Sequence, residues 1–278
     1  MKPNPQIPLE INAGLARRIL TTFIRDEIQR IGMERAVVNL SGGIDSALSC
    51  FLAAEALGPQ NVLALCLPYR TSSADSLEHA QRVIVQTGVQ SETLEITAMA
   101  EPLFATLPPE DTMRRGNILA RLRMVVLYDR SAAFRGLAIG TGNKTEILLG
   151  YTTLFGDSAS AINPLGDLYK TQVRQLARAM GVPESILTKP PSADLWPGQT
   201  DEGEMGLTYE EVDRLLYLLV DQRYRPEECA AAGFEPSFVA AVLERIRRNQ
   251  FKRMPPVIAK LGNRTVGYDF LYLRDWGT

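Results

Sequence analysis

Two rhythms of apolar positions alternate along the chain. Residues 36–40, 61–67 and 136–140 are short, nearly continuous apolar runs, the pattern of parallel strands buried on both faces. Residues 91–96 form a shorter and more polar run, also read as a strand. Between them the spacing turns helical. Ile11, Leu15, Ile19, Leu20, Phe23, Ile24, Ile28 and Ile31 share one face, with Asn12 as the cap and Gly32 as the stop. Further helices are expected from about Asp45 to Leu57 and over 75–87, 97–107 and 111–134. Later ones are expected over 167–180, 210–220 and 236–248. Residues 188–207 carry prolines, glycines and acids without periodicity, which predicts a mobile or ligand-ordered loop. Strands alternating with helices predict an α/β fold. Its sheet is doubly wound and mostly parallel, with helices on both faces and ligands at the carboxyl ends of the strands. The character of the chain changes after Gly156 and residues 188–207 are its weakest link, yet 1–278 is expected to be one domain, led by a loose proline-rich stretch over 1–8.

Composition narrows the function classes. The chain is 45% hydrophobic and 22% charged, as in soluble globular proteins, and its net charge of −2 gives no basis for nucleic-acid binding. No apolar run reaches membrane-spanning length, and the first residues lack the apolar core of a signal peptide. Cys50, Cys66 and Cys229 are odd in number and scattered, which predicts buried thiols in a reducing cytoplasm rather than a zinc or iron–sulfur site.

The chemistry begins where the first strand ends. Leu40-Ser41-Gly42-Gly43-Ile44-Asp45-Ser46 is a glycine turn between a strand and a helix start. Glycines let backbone approach an anion, and the first turn of a helix offers unpaired N–H groups. The lysine of the GxxxxGK[ST] loop is missing, so the anion would be held by backbone, by Ser41 and Ser46, and by a metal on Asp45. A second strand end carries Gly140-Thr141-Gly142-Asn143-Lys144-Thr145-Glu146. Glu146 lies one turn into the expected helix, placed to share a hard cation with Asp45; magnesium favours such carboxylates plus phosphate oxygens. Taken alone, Glu146 would be a solvated helix-start acid.

SGGIDS resembles the pyrophosphate loop of enzymes that split ATP between its α- and β-phosphates, and together with TGNKTE it is similar to the NAD synthetases. The likeness runs on through residues 149–157, 163–165, 168–173, 190–195 and 198–202, with Gly116, Asn117, Arg121, Arg123 and Met124 ahead of the fourth strand. It implies an adenine-nucleotide alpha-hydrolase-like fold. It also implies amidation of deamido-NAD to NAD through an acyl-adenylate, with magnesium as cofactor, ATP as co-substrate, and AMP and pyrophosphate as products. By resemblance, residues Leu40 to Ser46, Thr141, Lys170 and Ser192 would bind ATP. Asp45 and Glu146 would hold magnesium, and Arg121, Tyr151, Asp157 and Lys252 would border the dinucleotide. On their own terms, Lys170 is a solvated helix-start lysine opposed by the helix dipole, Arg121 a surface arginine, Tyr151 a packed aromatic and Asp157 a turn aspartate. The single histidine, His79, reads as a surface residue outside catalysis.

Departures from the small ammonia-using members fall on the substrate side: Leu154 for Lys, Ala161 for Asp, and Phe251-Lys252 for His-Lys. The 151–157 and 197–202 segments look more like the synthetase half of glutamine-using members, whose amidase half has no counterpart here. Free ammonia is the simplest nitrogen donor, with a separate glutaminase as the other. The resemblance also implies a homodimer, with the first helix and residues 117–134 as candidate faces. Two other readings remain open: another adenylating amidotransferase or tRNA-modifying enzyme of this loop class, and a nucleotide-binding sensor without turnover.

Overall fold

The computed structural model describes residues 8–192, 200–267 and 269. Its first half follows the expected rhythm. Helix α1 (Ala13–Arg30) is capped by Asn12, whose Oδ1 accepts the Leu15 N–H at 2.9 Å. Then come β1 (Arg35–Asn39), α2 (Ile44–Leu57), β2 (Val62–Cys66), α3 (Ala74–Thr87) and β3 (Gln90–Thr93). Helices α4 (Thr97–Phe104) and α5 (Thr112–Phe134) lead into β4 (Gly136–Ile139) and the short α6 (Lys144–Leu149). The second half is helical: α7 (Lys170–Ala179), α8 (Glu184–Leu187), α9 (Asp201–Met205), α10 (Tyr209–Leu216), α11 (Pro226–Ala231) and α12 (Pro236–Arg248). A π-helical stretch, Tyr217–Asp221, extends α10, and a 3₁₀ turn, Gln250–Arg253, follows α12.

Two expectations change. Helix α7 starts at Lys170, not near Asp167. The region expected as an aperiodic loop contains α9, started by Thr200, whose Oγ1 accepts the Gly203 N–H at 3.3 Å. Residues 193–199 of that region lie outside the described residues.

The four strands pair in the order β3-β2-β1-β4, and every pairing is parallel. Alternate strand residues feed different cores, as the two-residue period requires. Ala36 and Val38 join Val62, Ala64 and Cys66 under α1, α2, α3 and α7, whereas Val37 and Leu65 pack with α4 and α5. Helix α2 is buried on nearly every side, which explains why its residues are apolar all round rather than amphipathic. A third cluster joins α6 and α10 to α12 through Tyr209, Leu216 and Val242.

The topology locates the site. From β1 the chain runs outward to β2 and β3, then returns to place β4 on the other side of β1. The strand order therefore switches between β1 and β4, and their carboxyl-end loops splay apart to leave a crevice. Those loops are the two motifs of the sequence, at Ser41 and at Gly140.

Candidate active site

A cleft of about 450 Å³ opens at this switch point. Of the site residues expected from sequence, Ser41, Gly43, Ile44, Asp45, Ser46, Thr141, Glu146, Tyr151, Asp157, Lys170, Ser192 and Lys252 line it. Leu40, Gly42 and Arg121 do not. The Leu40 side chain is buried in the core, and its N–H donates to Leu65 O at 2.8 Å, prolonging the β1–β2 pairing. Gly42 has a φ of +80°, and a Cβ there would stand 2.1 Å from the Ser76 carbonyl oxygen, so any side chain would force the loop off α3.

The loop is braced from within. Ser46 Oγ donates to Gly43 O at 3.0 Å and accepts the Ser41 N–H at 3.2 Å, while the two hydroxyls lie 3.0 Å apart. No side chain caps α2 at Gly43, so its first N–H groups remain directed at whatever enters the cleft.

Asn143 joins the two motifs. It caps α6 by accepting the Glu146 N–H at 3.0 Å, while Glu146 Oε2 accepts the Asn143 N–H at 3.2 Å. The Asn143 Nδ2 donates across the crevice to Asp45 Oδ1 at 2.9 Å. Glu146 is thus a capping acid held against Asp45, not a solvated one. Between the carboxylates lies the Lys170 ammonium, 2.5 Å from Asp45 Oδ2 and 3.2 Å from Glu146 Oε1. Its side chain is 3% exposed, against 17% for Asp45 and 16% for Glu146, so the solvated alternative for Lys170 fails as well. Burial would lower the lysine pKa, but Asp45, Glu146 and Asp201 outweigh it and hold the ammonium protonated. Burial pushes the Glu146 carboxyl up to about 8 despite Lys170 beside it.

Asp213 fixes where Lys170 stands. This fully buried acid accepts from Thr145 Oγ1 at 2.5 Å and from the Thr171 N–H at 2.8 Å, and Thr145 Oγ1 in turn accepts the Lys170 N–H at 3.0 Å. A third acid, Asp201, is 4% exposed and receives the Tyr209 hydroxyl at 3.2 Å; the Tyr151 hydroxyl lies 3.2 Å from it and 2.8 Å from Glu204. Three carboxyl groups thus face one ammonium, and once Glu146 gives up its proton the negative charge is in excess, which favours an added cation. Among the described residues no set of three or more metal-ligand side chains converges. A pair of hard carboxylates open to the cleft nonetheless fits a magnesium ion completed by phosphate oxygens and water.

The opposite wall is the 150–157 loop. Asp157 accepts from Thr152 Oγ1 at 2.8 Å and from the Thr153 N–H at 2.7 Å, so it does serve as a turn aspartate while lining the cleft. Helix α5 holds this loop: Asn117 Oδ1 accepts from Thr153 Oγ1 at 2.8 Å, and the Arg121 guanidinium donates to Leu154 O at 3.2 and 3.3 Å. The Lys252 ammonium donates to Gly150 O and Thr152 O at 2.7 and 2.8 Å. Its neighbours complete a clamp on the last turn of α6. Arg253 donates to Ile147 O and Leu148 O at 3.1 and 2.6 Å, and Asn249 to Leu149 O at 3.1 Å.

Sequence reasoning missed several of these groups. Asn143 and Asp201 lay inside the recognised motifs without a role, while Asp213 and Tyr209 carried no motif at all. His79 is half-buried rather than freely exposed: its Nδ1 is buried without a partner among the described residues, and burial lowers its pKa, helped by Lys189 and Arg82. All three cysteines are buried free thiols.

Comparison with known proteins agrees with this geometry. The family model described as NAD synthase matches residues 16–256. An NH(3)-dependent NAD(+) synthetase of Trichlorobacter lovleyi is 56% identical over 97% of this chain and 98% of its own length. Among solved structures, an NMN synthetase of Francisella tularensis superposes with a TM-score of 0.78 at 33% identity, over 90% of this chain and 99% of that one. An NH3-dependent NAD synthetase of Campylobacter jejuni, solved with a nitrate ion, gives 0.77 at 31% identity, over 90% of this chain and all of that one. Shared fold, sequence identity and near-complete coverage lead to one assignment: the chain belongs to the NAD synthase family.

Proposed function

We propose that this enzyme amidates deamido-NAD to NAD, using ATP and free ammonia and releasing AMP and pyrophosphate. The observation that supports this most is the meeting of an uncapped phosphate loop with Asp45, Glu146 and Lys170 in one cleft. A carboxylate cannot be amidated directly, because oxide does not leave. Its oxygen instead attacks the α-phosphorus of ATP, the α–β anhydride breaks, and its electron pair departs with pyrophosphate. Ammonia then adds to the activated carbonyl carbon, the bond from that carbon to the AMP oxygen breaks with its electron pair leaving on AMP, and the added nitrogen loses one proton to water. No protein nucleophile is required; positioning and charge neutralisation do the work.

In this reading the loop from Leu40 to Ser46 cradles the phosphates, with Ser41 and Ser46 as side-chain donors and Leu40 and Gly42 shaping the turn. Thr141 and Ser192 complete the ATP side. Asp45 and Glu146 hold magnesium, which neutralises phosphate charge when bound, and Lys170 is displaced from between them toward the phosphates. Tyr151 and Asp157 border the dinucleotide. Lys252 and Arg121, both spent on backbone carbonyls here, keep the 150–157 loop in place beside it.

Purified protein given deamido-NAD, ATP and ammonium should yield NAD, AMP and pyrophosphate in equal amounts, while glutamine in place of ammonium should yield none. Release of ADP and phosphate would rule out adenylation, and turnover with glutamine alone would rule out ammonia as sole donor. The NMN synthetase neighbour motivates a second reading, in which the carboxylate form of NMN is preferred. Competition between the two substrates separates them, and a larger kcat/KM for deamido-NAD is expected.

We also propose a cytoplasmic homodimer, in keeping with the reduced cysteines. Leu15 and Ile19 on α1, and Val125 and Tyr128 on α5, are 40–57% exposed, so each helix offers an apolar face for a second copy. Light scattering coupled to gel filtration should give twice the chain mass; a monomer at micromolar concentration would refute it.

A further inference from the structure

One cation of the cleft has no part in the chemistry above. Lys189 follows α8 and lines the cleft together with Ser76. Its Nζ donates to Ser76 Oγ at 2.9 Å, and among the described residues it forms no ion pair with a carboxylate. Lys144, Lys170 and Lys260, by contrast, each sit against an acid. Ser76 is the third residue of α3 and is 6% exposed. The Gly42 backbone rests directly on it, since a Cβ at Gly42 would come within 2.1 Å of the Ser76 carbonyl oxygen. Ser76 therefore meets both the Lys189 ammonium and the glycine turn.

The cleft is thus electrically two-sided. On one side Asp45, Glu146 and Asp201 surround Lys170. On the other a partly buried ammonium has a neutral hydroxyl as its partner. A polyphosphate laid along the loop, with its metal-bound part toward the acids, would carry its remaining negative oxygens toward Lys189.

We propose that Lys189 binds the pyrophosphate end of ATP, exchanging its bond to Ser76 for charge-assisted bonds to β- or γ-phosphate oxygens. This rests on the reading that ATP occupies the loop. In the adenylation step the α–β bond breaks and its electron pair passes to the departing pyrophosphate. Lys189 neutralises that growing charge without gaining or losing a proton.

The test is calorimetric titration of wild type and Lys189→Met with inorganic pyrophosphate, ATP and AMP, with magnesium present, alongside steady-state kinetics. Loss of one charge-assisted contact should weaken pyrophosphate binding and raise the KM for ATP roughly 10- to 100-fold. AMP lacks the β- and γ-phosphates, so its affinity should stay at the wild-type value, and Lys189→Arg should recover most of the loss. Thermal melting controls for folding; if Lys189→Met melts early, Lys189→Gln takes its place. Unchanged pyrophosphate affinity in a folded variant, in a wild type that does bind ATP, overturns the role of Lys189 alone. An equal loss for AMP overturns it too, by showing a general distortion of the cleft. A wild type that binds neither ATP nor pyrophosphate overturns the ATP reading itself.

Discussion

Glu146→Gln should lower kcat/KM roughly 100- to 1,000-fold and raise the magnesium concentration needed for activity, with only a small change in thermal stability at neutral pH. The split follows from the two functions of this side chain. As the third residue of α6 it accepts the Asn143 N–H, and a glutamine amide oxygen can keep that cap, at the cost of turning the amide nitrogen toward the Lys170 ammonium. What vanishes is the charge offered to the cation. That charge is itself a burden on the folded state, because burial pushes the Glu146 carboxyl up to about 8. A carboxyl raised on folding contributes stability that is complete below its unfolded value near 4.5 and is lost as pH rises through about 8. Wild type without metal should therefore soften across that window, and Glu146→Gln should flatten the trend. Asp45→Asn should lose activity by a similar factor, but with some loss of stability, since an amide nitrogen is turned toward Asn143 Nδ2 or Lys170 Nζ. Wild-type turnover in both variants would end the metal assignment.

Lys170→Met should destabilise the protein by about 3–5 kcal/mol, the usual cost of stripping one partner from a buried ion cluster. The ammonium is 3% exposed between two carboxylates and lies 5.1 Å from the centre of the Tyr209 ring. Its position at the first residue of α7 opposes the helix dipole, so neither helix propensity nor capping accounts for a lysine there. Removing it leaves Asp45, Glu146 and Asp201 facing one another. Two consequences distinguish this cause from simple loss of packing. Adding Glu146→Gln to Lys170→Met should restore part of the stability, a coupling that a double-mutant cycle measures. Magnesium should also raise the melting temperature of Lys170→Met more than that of wild type, because the metal replaces the missing positive charge. An unshifted melting temperature on losing Lys170 would contradict the cluster as described.

The strands and the two motifs were legible because their signals are local. An apolar run ending in Ser-Gly-Gly declares a strand, a turn and a helix start within eleven residues or so, and Asp45 and Glu146 lie beside those glycines. The electrostatic centre was not legible. Asn143 meets Asp45 across 98 residues of sequence, and Thr145 meets Asp213 across 68, and no spacing rule anticipates such a meeting. Lys170 shows the limit well: the dipole argument made a solvated lysine unattractive, yet its burial between two acids appears only once the parallel sheet brings three loops together. Helix α9 escaped notice because Asp201 to Met205 has no apolar period; its start is set by the Thr200 cap and by Tyr209, whose N–H donates to Glu202 Oε1 at 2.9 Å.

The brace on α6 has a consequence for where this enzyme ends as a working unit. A six-residue helix is too short to persist alone, and its free carbonyls are met by groups from a stretch roughly a hundred positions downstream. The stretch from Asn249 to Arg253 is therefore a splint, not a tail. Chain shortened ahead of it would lose the far anchor of the helix that bears Glu146, with every residue at the phosphates still present.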